Sequence, residues 1–167
     1  MTTHTLSKGA IALAAAAAMA AGAAIPAAAA PTAYGQTISN SMSKCNSGTA
    51  VRVTVTGVKS STGKVRLQLY NGTKADWLVK GRWINRIEVP ASRGTMSFCM
   101  PTPGAGVYGI AVRHDANGNG KTDISEDGGA MSNNPSINIF NLGKPSYKKT
   151  RFTVDGVESI TIKMRYM

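Results

Sequence analysis

Two runs of this chain alternate strictly between apolar and polar residues. Val51, Val53 and Val55 interleave with Arg52, Thr54 and Thr56, and Val65, Leu67 and Leu69 interleave with Lys64, Arg66 and Gln68. A period of two marks a half-buried antiparallel strand, because successive side chains leave opposite faces of the backbone. Ser60-Ser61-Thr62-Gly63 lies between the runs and reads as a turn, so Val51–Val58 and Lys64–Tyr70 are expected to form a hairpin. Further short runs follow at Ile84–Val89 (stopped by Pro90), Thr95–Met100, Val107–Arg113, Ile137–Phe140, Arg151–Val154 and Ser159–Tyr166. In Thr95–Met100, Met96, Phe98 and Met100 share one face and Cys99 takes the other. A helical turn is expected only at Ala75–Lys80. About seven or eight short strands separated by turns specify an all-β fold, a single antiparallel β-sandwich. Several are shorter than the roughly 9–11 residues that a membrane-spanning strand needs.

The N-terminal residues have a different character. Lys8 is the one cation of a short polar opening, Ile11–Ala24 is an almost pure alanine run, and Pro26 breaks it ahead of Ala27-Ala28-Ala29. That is the three-part layout of a secretory signal peptide. The cut is placed after Ala29, since Pro31 disfavours the next bond. A membrane anchor is the competing reading, but the run is short against the roughly 20 apolar residues of a span. The expected division is a signal peptide over 1–29, a flexible leader over 30–44 and a β-sandwich domain over 45–167, with a periplasmic or secreted location. No later segment is apolar enough for a transmembrane helix.

Export shapes two further readings. Cys45 and Cys99 are the only cysteines, and an even pair in an exported chain is most simply a disulfide. The chain carries 19 Lys and Arg against 8 Asp and Glu. A surplus of that size favours anionic envelope polymers or lipid headgroups, and export sets nucleic acid aside. Trp77, Lys80, Arg82, Trp83 and Arg86 interleave aromatics with cations and form a candidate anionic-ligand patch, as Lys144, Tyr147, Lys148, Lys149 and Arg151 do more weakly. The bland alternative is that the tryptophans cover the sandwich edge while the cations stay solvated.

Asp115–Glu126 reads D-A-N-G-N-G-K-T-D-I-S-E, a match to the calcium-loop pattern D-x-[DN]-x-[DN]-G-x₅-E. Asp115, Asn117 and Asn119 would offer side-chain oxygens, Lys121 its carbonyl, Asp123 a water-bridged contact and Glu126 both carboxylate oxygens. Gly120 allows the turn. The loop leaves a strand rather than a helix, and Asp127-Gly128-Gly129 cannot start a good helix. A helix-opening sensor is therefore excluded in favour of a weak calcium loop on a β scaffold, with Kd on the order of 10⁻⁴–10⁻³ M. A metal-free loop capped by its own Asn and Asp side chains is the alternative. No nucleophile-elbow motif accompanies His114, and strand neighbours such as His114 and Asp115 point to opposite faces. His114 is expected to orient the loop or lie at the surface.

The segment from Tyr108 through H-D-A-N-G-N-G-K-T-D (His114–Asp123) to Ser132-Asn133-Asn134 resembles a family of exported bacterial proteins, domain-of-unknown-function family 2141. G-V-K-S-S-T-G-K-V-R-L-Q-L-Y, from Gly57 to Tyr70, also resembles the family's opening. The chain has Asp127-Gly128-Gly129-Ala130 where many members carry G-I-P-x-E. The resemblance implies one β-sandwich after a signal peptide, and no activity. The expected role is a non-enzymatic envelope binding or structural module, and the alternative is an envelope hydrolase acting on polysaccharide.

Overall fold

The computed structural model describes residues 1–2, 33–137 and 143–167. Among these residues, two packed sheets hold ten strands: β1 (Gln36–Thr37), β2 (Ala50–Val58), β3 (Lys64–Asn71), β4 (Asn85–Pro90), β5 (Gly94–Pro101), β6 (Gly106–Asp115), β7 (Gly128–Met131), β8 (Phe152–Val154), β9 (Val157–Lys163) and β10 (Arg165–Tyr166). The only helical pieces among the described residues are a 3-10 turn at Met42–Cys45 and α1 at Tyr147–Thr150. The large sheet runs β1-β4-β3-β6-β7-β10, with β8 beside β7 on the same edge of β6, and the small sheet runs β5-β2-β9. The expected signal peptide falls outside the described residues, apart from Met1 and Thr2, and so does all but the first residue of the expected strand Ile137–Phe140.

The apolar half of each alternating run meets between the sheets. Val51, Val53 and Val55 of β2 and Phe98 and Met100 of β5 pack against Val65, Leu67 and Leu69 of β3 and Ile110 and Val112 of β6. Each such side chain gains roughly 1.5–3 kcal/mol from leaving water. The expected hairpin is corrected. β2 pairs with β5 and β9, and β3 pairs with β4 and β6. The turn at 60–63 is thus an arch from one sheet to the other. Alternation fixes which residues face the core but not which strand is the neighbour, so the sequence pattern suits both arrangements. The sandwich is also not wholly antiparallel, because β1 joins β4 and β9 joins β2 in parallel.

The leader residues from Tyr34 on are docked rather than trailing. The backbone of Gly35, Gln36 and Ile38 bonds to Trp83, Ile84 and Arg86. Asn40 donates to the Ser97 carbonyl and accepts from the Cys99 amide. Cys45 and Cys99 form the expected disulfide, with Cα atoms 5.8 Å apart and a sequence separation of 54. Closing a loop of that length constrains the unfolded chain by about 4 kcal/mol on an entropic account.

Ser132-Asn133-Asn134 forms a knot at the far side of β6. The Ser132 hydroxyl accepts from the Ile110 amide and donates to the Thr150 carbonyl. Asn133 and Asn134 both have positive φ (63° and 48°), which Asn tolerates better than most residues. Their amides reach the carbonyls of Arg151 and Thr161. The three residues tie β6, α1 and β9 together.

Candidate functional site

The loop that carries the calcium pattern leaves the end of β6 and returns at β7, with His114 fixing its entry. His114 is fully buried, which corrects the surface expectation. Its Nε2 lies 2.8 Å from the Thr62 carbonyl, and its Nδ1 lies 2.7 Å from the Tyr166 hydroxyl. A carbonyl only accepts, so Nε2 carries the proton; in the neutral ring Nδ1 then accepts from the tyrosine. The Tyr166 oxygen accepts in turn from the Lys59 amide. One imidazole therefore joins the inter-sheet arch, β6 and the C-terminal strand. Gly63 sits so close to this junction that a Cβ on it would overlap the Asp115 carbonyl, and its φ of +70° excludes most side chains as well.

Beyond His114 the side chains of the loop fold onto its own backbone. The Asp115 Oδ2 accepts from the Gly120 amide at 2.9 Å and from the Arg113 guanidinium at 3.1 Å. The Asn117 Oδ1 accepts from the Asn119 amide, and the Asn119 Oδ1 accepts from the Lys121 amide. The amide groups of the two asparagines point at the acids. Asn117 Nδ2 donates to Asp123 and Glu126, both at 2.9 Å, and Asn119 Nδ2 donates to Asp123 at 2.6 Å. These amides, Asn117 first, hold the Asp123 carboxyl below the usual carboxylate range. Asp127, not among the expected ligands, is buried and accepts from the amides of Ala116 and Asp123, joining both limbs of the loop.

Asn117, Asn119, Asp123 and Glu126 are thus drawn to one point, while Asp115 is held by Arg113 and Gly120. Among the described residues, no three His, Cys, Asp or Glu side chains stand as one group able to hold a metal ion. Asp115, Asp123 and Glu126 do not share a centre, and hydrogen-bond donors already occupy them. Arg113 is the largest of these, and it also bonds to the Gly120 carbonyl and the Thr122 hydroxyl. Two buried polar atoms at the entry to the loop lack a hydrogen-bond partner, and the Arg113 Nε is one of them. The Asp115 Oδ1 is buried and has no hydrogen-bond partner.

The aromatic and basic patch is regrouped by the fold. Trp77 is buried, its Nε1 donates to the Pro145 carbonyl, and its ring lies where a side chain on Gly109 would sit. It packs with Tyr70 and Met131 in a small second core on the outer face of the large sheet. Arg82 bonds to buried Asp76 at 2.8 Å and lies over the Tyr34 ring, and Lys80 is exposed. Trp83 and Arg86 remain together, with the guanidinium 4.0 Å from the ring centre. The first half of the expected patch is thus largely structural.

Residues 53–162 match the family described as an uncharacterized protein conserved in bacteria (DUF2141). The chain belongs to this family. No curated protein and no solved structure matches the chain. The matched part of the DUF2141 domain runs from β2 into β9 and contains the arch, His114, the whole Asp115–Glu126 loop and the Ser-Asn-Asn knot, while Tyr166 of the His114 junction lies beyond it. Among the described residues of this DUF2141 protein, no helix is long and apolar enough to cross a membrane.

Proposed function

We propose that this DUF2141 protein is an exported, non-enzymatic binding or structural module of the bacterial cell envelope. In this reading its Asp115–Glu126 loop takes up calcium weakly. The observation that carries the calcium reading is the orphaned Oδ1 of Asp115, buried at the first ligand position of a loop whose third, fifth, ninth and twelfth side chains converge. A buried carboxylate oxygen without a partner is costly, and a bound cation would relieve it. Calcium would compete with the Arg113 guanidinium and the asparagine amides for the same carboxylates. That competition supports an affinity in the weak extracellular range, Kd on the order of 10⁻⁴–10⁻³ M.

The disulfide supports an oxidising compartment outside the cytoplasm. The non-enzymatic reading is supported by His114, whose two ring nitrogens are both engaged in structural hydrogen bonds, and by Asp115, which follows it on β6 and faces away. Calorimetric titration of the oxidised protein tests the loop. Heat that saturates at millimolar calcium and is lost in Asp115→Asn supports it. No heat and no rise in melting temperature at 10 mM calcium would remove calcium from the account.

A further inference from the structure

The outer face of the large sheet carries a charge arrangement that folding alone does not call for. Its outward positions are the polar half of the alternating runs. Arg66 of β3 stands directly opposite Arg113 of β6, and Gln68 of β3 stands directly opposite Arg86 of β4. Like charges placed opposite each other on a sheet are destabilising. Among the described residues, two carboxylates answer these cations. Glu88 takes Arg66 and Lys64, and Asp115 takes Arg113. Among the described residues Arg86 has no ion pair, and its only contact of that kind is the face of Trp83.

The guanidinium groups are also poorly hydrated. The Arg66 and Arg113 side chains are 22% and 18% exposed, and the Nε atoms of Arg86 and Arg113 are buried without an acceptor. Burial, then the charge of Arg66, disfavours the protonated form of Arg86, with Glu88 and Tyr70 opposing and Arg113 adding to the repulsion. A guanidinium nonetheless stays charged. Half-buried arginines with unmet donors and too few acids form the electrostatic complement of an anion, and the planar fork of Arg suits a carboxylate or phosphate.

We propose that the outer face of the large sheet binds an acidic sugar, its carboxylate or phosphate seated on Arg86 with Gln68, Arg66 and Arg113 around it. A glycan is favoured over a lipid surface by what flanks the cations. Half-buried Trp83 offers an aromatic plane beside the Arg86 charge, and among the described residues Val107 is the only exposed large hydrophobic on β3, β4 or β6, Tyr70 and Trp77 being buried against the sheet. The proposal deepens the envelope-binding reading and rests on it, while the calcium loop enters only through Arg113.

The test uses the oxidised protein with three probes: galacturonate hexamer, its methyl-esterified neutral counterpart, and glucose 6-phosphate. Binding is followed by calorimetry at low salt. Arg86→Gln removes the unpaired charge, and Gln68→Glu places an anion at the centre without removing any arginine. Arg93→Gln, an exposed cation in the β4–β5 turn, controls for net charge. Thermal melts establish that each variant is folded. The expected result is that one or both acidic probes bind, tenfold or more weakly in Arg86→Gln and Gln68→Glu and within twofold of wild type in Arg93→Gln. Equal binding of the neutral hexamer overturns the site, as does an unchanged affinity in folded Arg86→Gln or Gln68→Glu. Capture by phosphatidylglycerol vesicles without binding of either acidic sugar also overturns it, while leaving the envelope-module reading in place. If wild type binds no acidic sugar, no such vesicle and no anionic envelope polymer, the envelope-binding reading fails with the site.

Discussion

Removing one oxygen atom tests the junction at His114. Tyr166→Phe keeps the ring, which stands edge-on to the imidazole with centroids 5.8 Å apart, so packing is preserved. The hydroxyl it removes serves two partners, the buried Nδ1 of His114 and the amide of Lys59. Lys59 is exposed and recovers a water at little cost. The His114 nitrogen is buried and is left without a donor, which costs about 1–3 kcal/mol. The expected loss is about 2 kcal/mol, or roughly 6 °C in melting temperature for a domain of this size. Urea unfolding of the oxidised protein, followed by tryptophan fluorescence, measures it. The midpoint should fall while the slope stays constant. A loss under about 0.5 kcal/mol would refute the claim that the imidazole depends on this hydroxyl to close the arch.

Further outcomes follow from the same geometry. Gly109→Ala puts a Cβ 2.7 Å from the Trp77 ring and should cost about 1–3 kcal/mol in urea unfolding, with altered tryptophan emission; wild-type stability and emission would mean that the ring does not rest on this strand. Burial raises the Asp76 carboxyl, but bonds from Asn71 and Tyr34 together with Arg82 outweigh it and hold it below its ordinary range. A lowered folded pKa stabilises above the unfolded value of about 3.9, and that gain is lost as pH falls through the folded value. The stability gap between wild type and Asp76→Asn should therefore be constant near pH 7 and narrow below about pH 4 in urea titrations; a gap that does not change with pH would contradict it. Arg113→Gln removes a unit charge on the order of 6 Å from the calcium position, about 1.4 kcal/mol in a water-like dielectric. Calcium affinity should rise about tenfold by calorimetry, and an unchanged or weaker affinity would count against competition by Arg113.

The core was legible because it depends on alternation alone. Val51, Leu67, Phe98 and Ile110 are inside for the reason their spacing gives. Partner choice was not legible, since β2 and β3 alternate equally well as a hairpin or as an arch. The short strand Gly128–Met131 does not stand out among the alternating runs, because Gly-Gly-Ala has little strand propensity of its own; it forms through pairing with β6 and β10. The oxygen-bearing positions of the calcium pattern could be read from spacing, but the amide orientations and the reach of Arg113 could not. Trp77 and Trp83 looked alike in sequence, and only Gly109 beneath one of them makes it structural. Arg66, Gln68 and Arg113 were missed as candidate ligand residues, although each already stood in the polar half of a strand pattern. Knowing which strands adjoin is what turns those scattered positions into one face.

A crystal structure of the oxidised protein grown with 10 mM calcium tests the central claim most directly. The account predicts an ion inside Asp115–Glu126 with six or seven oxygens at about 2.3–2.6 Å, the Asp115 Oδ1 among them and Arg113 displaced from Asp115. A loop that keeps the Arg113–Asp115 pair and the asparagine amides on Asp123 and Glu126, with no ion among them, would contradict it.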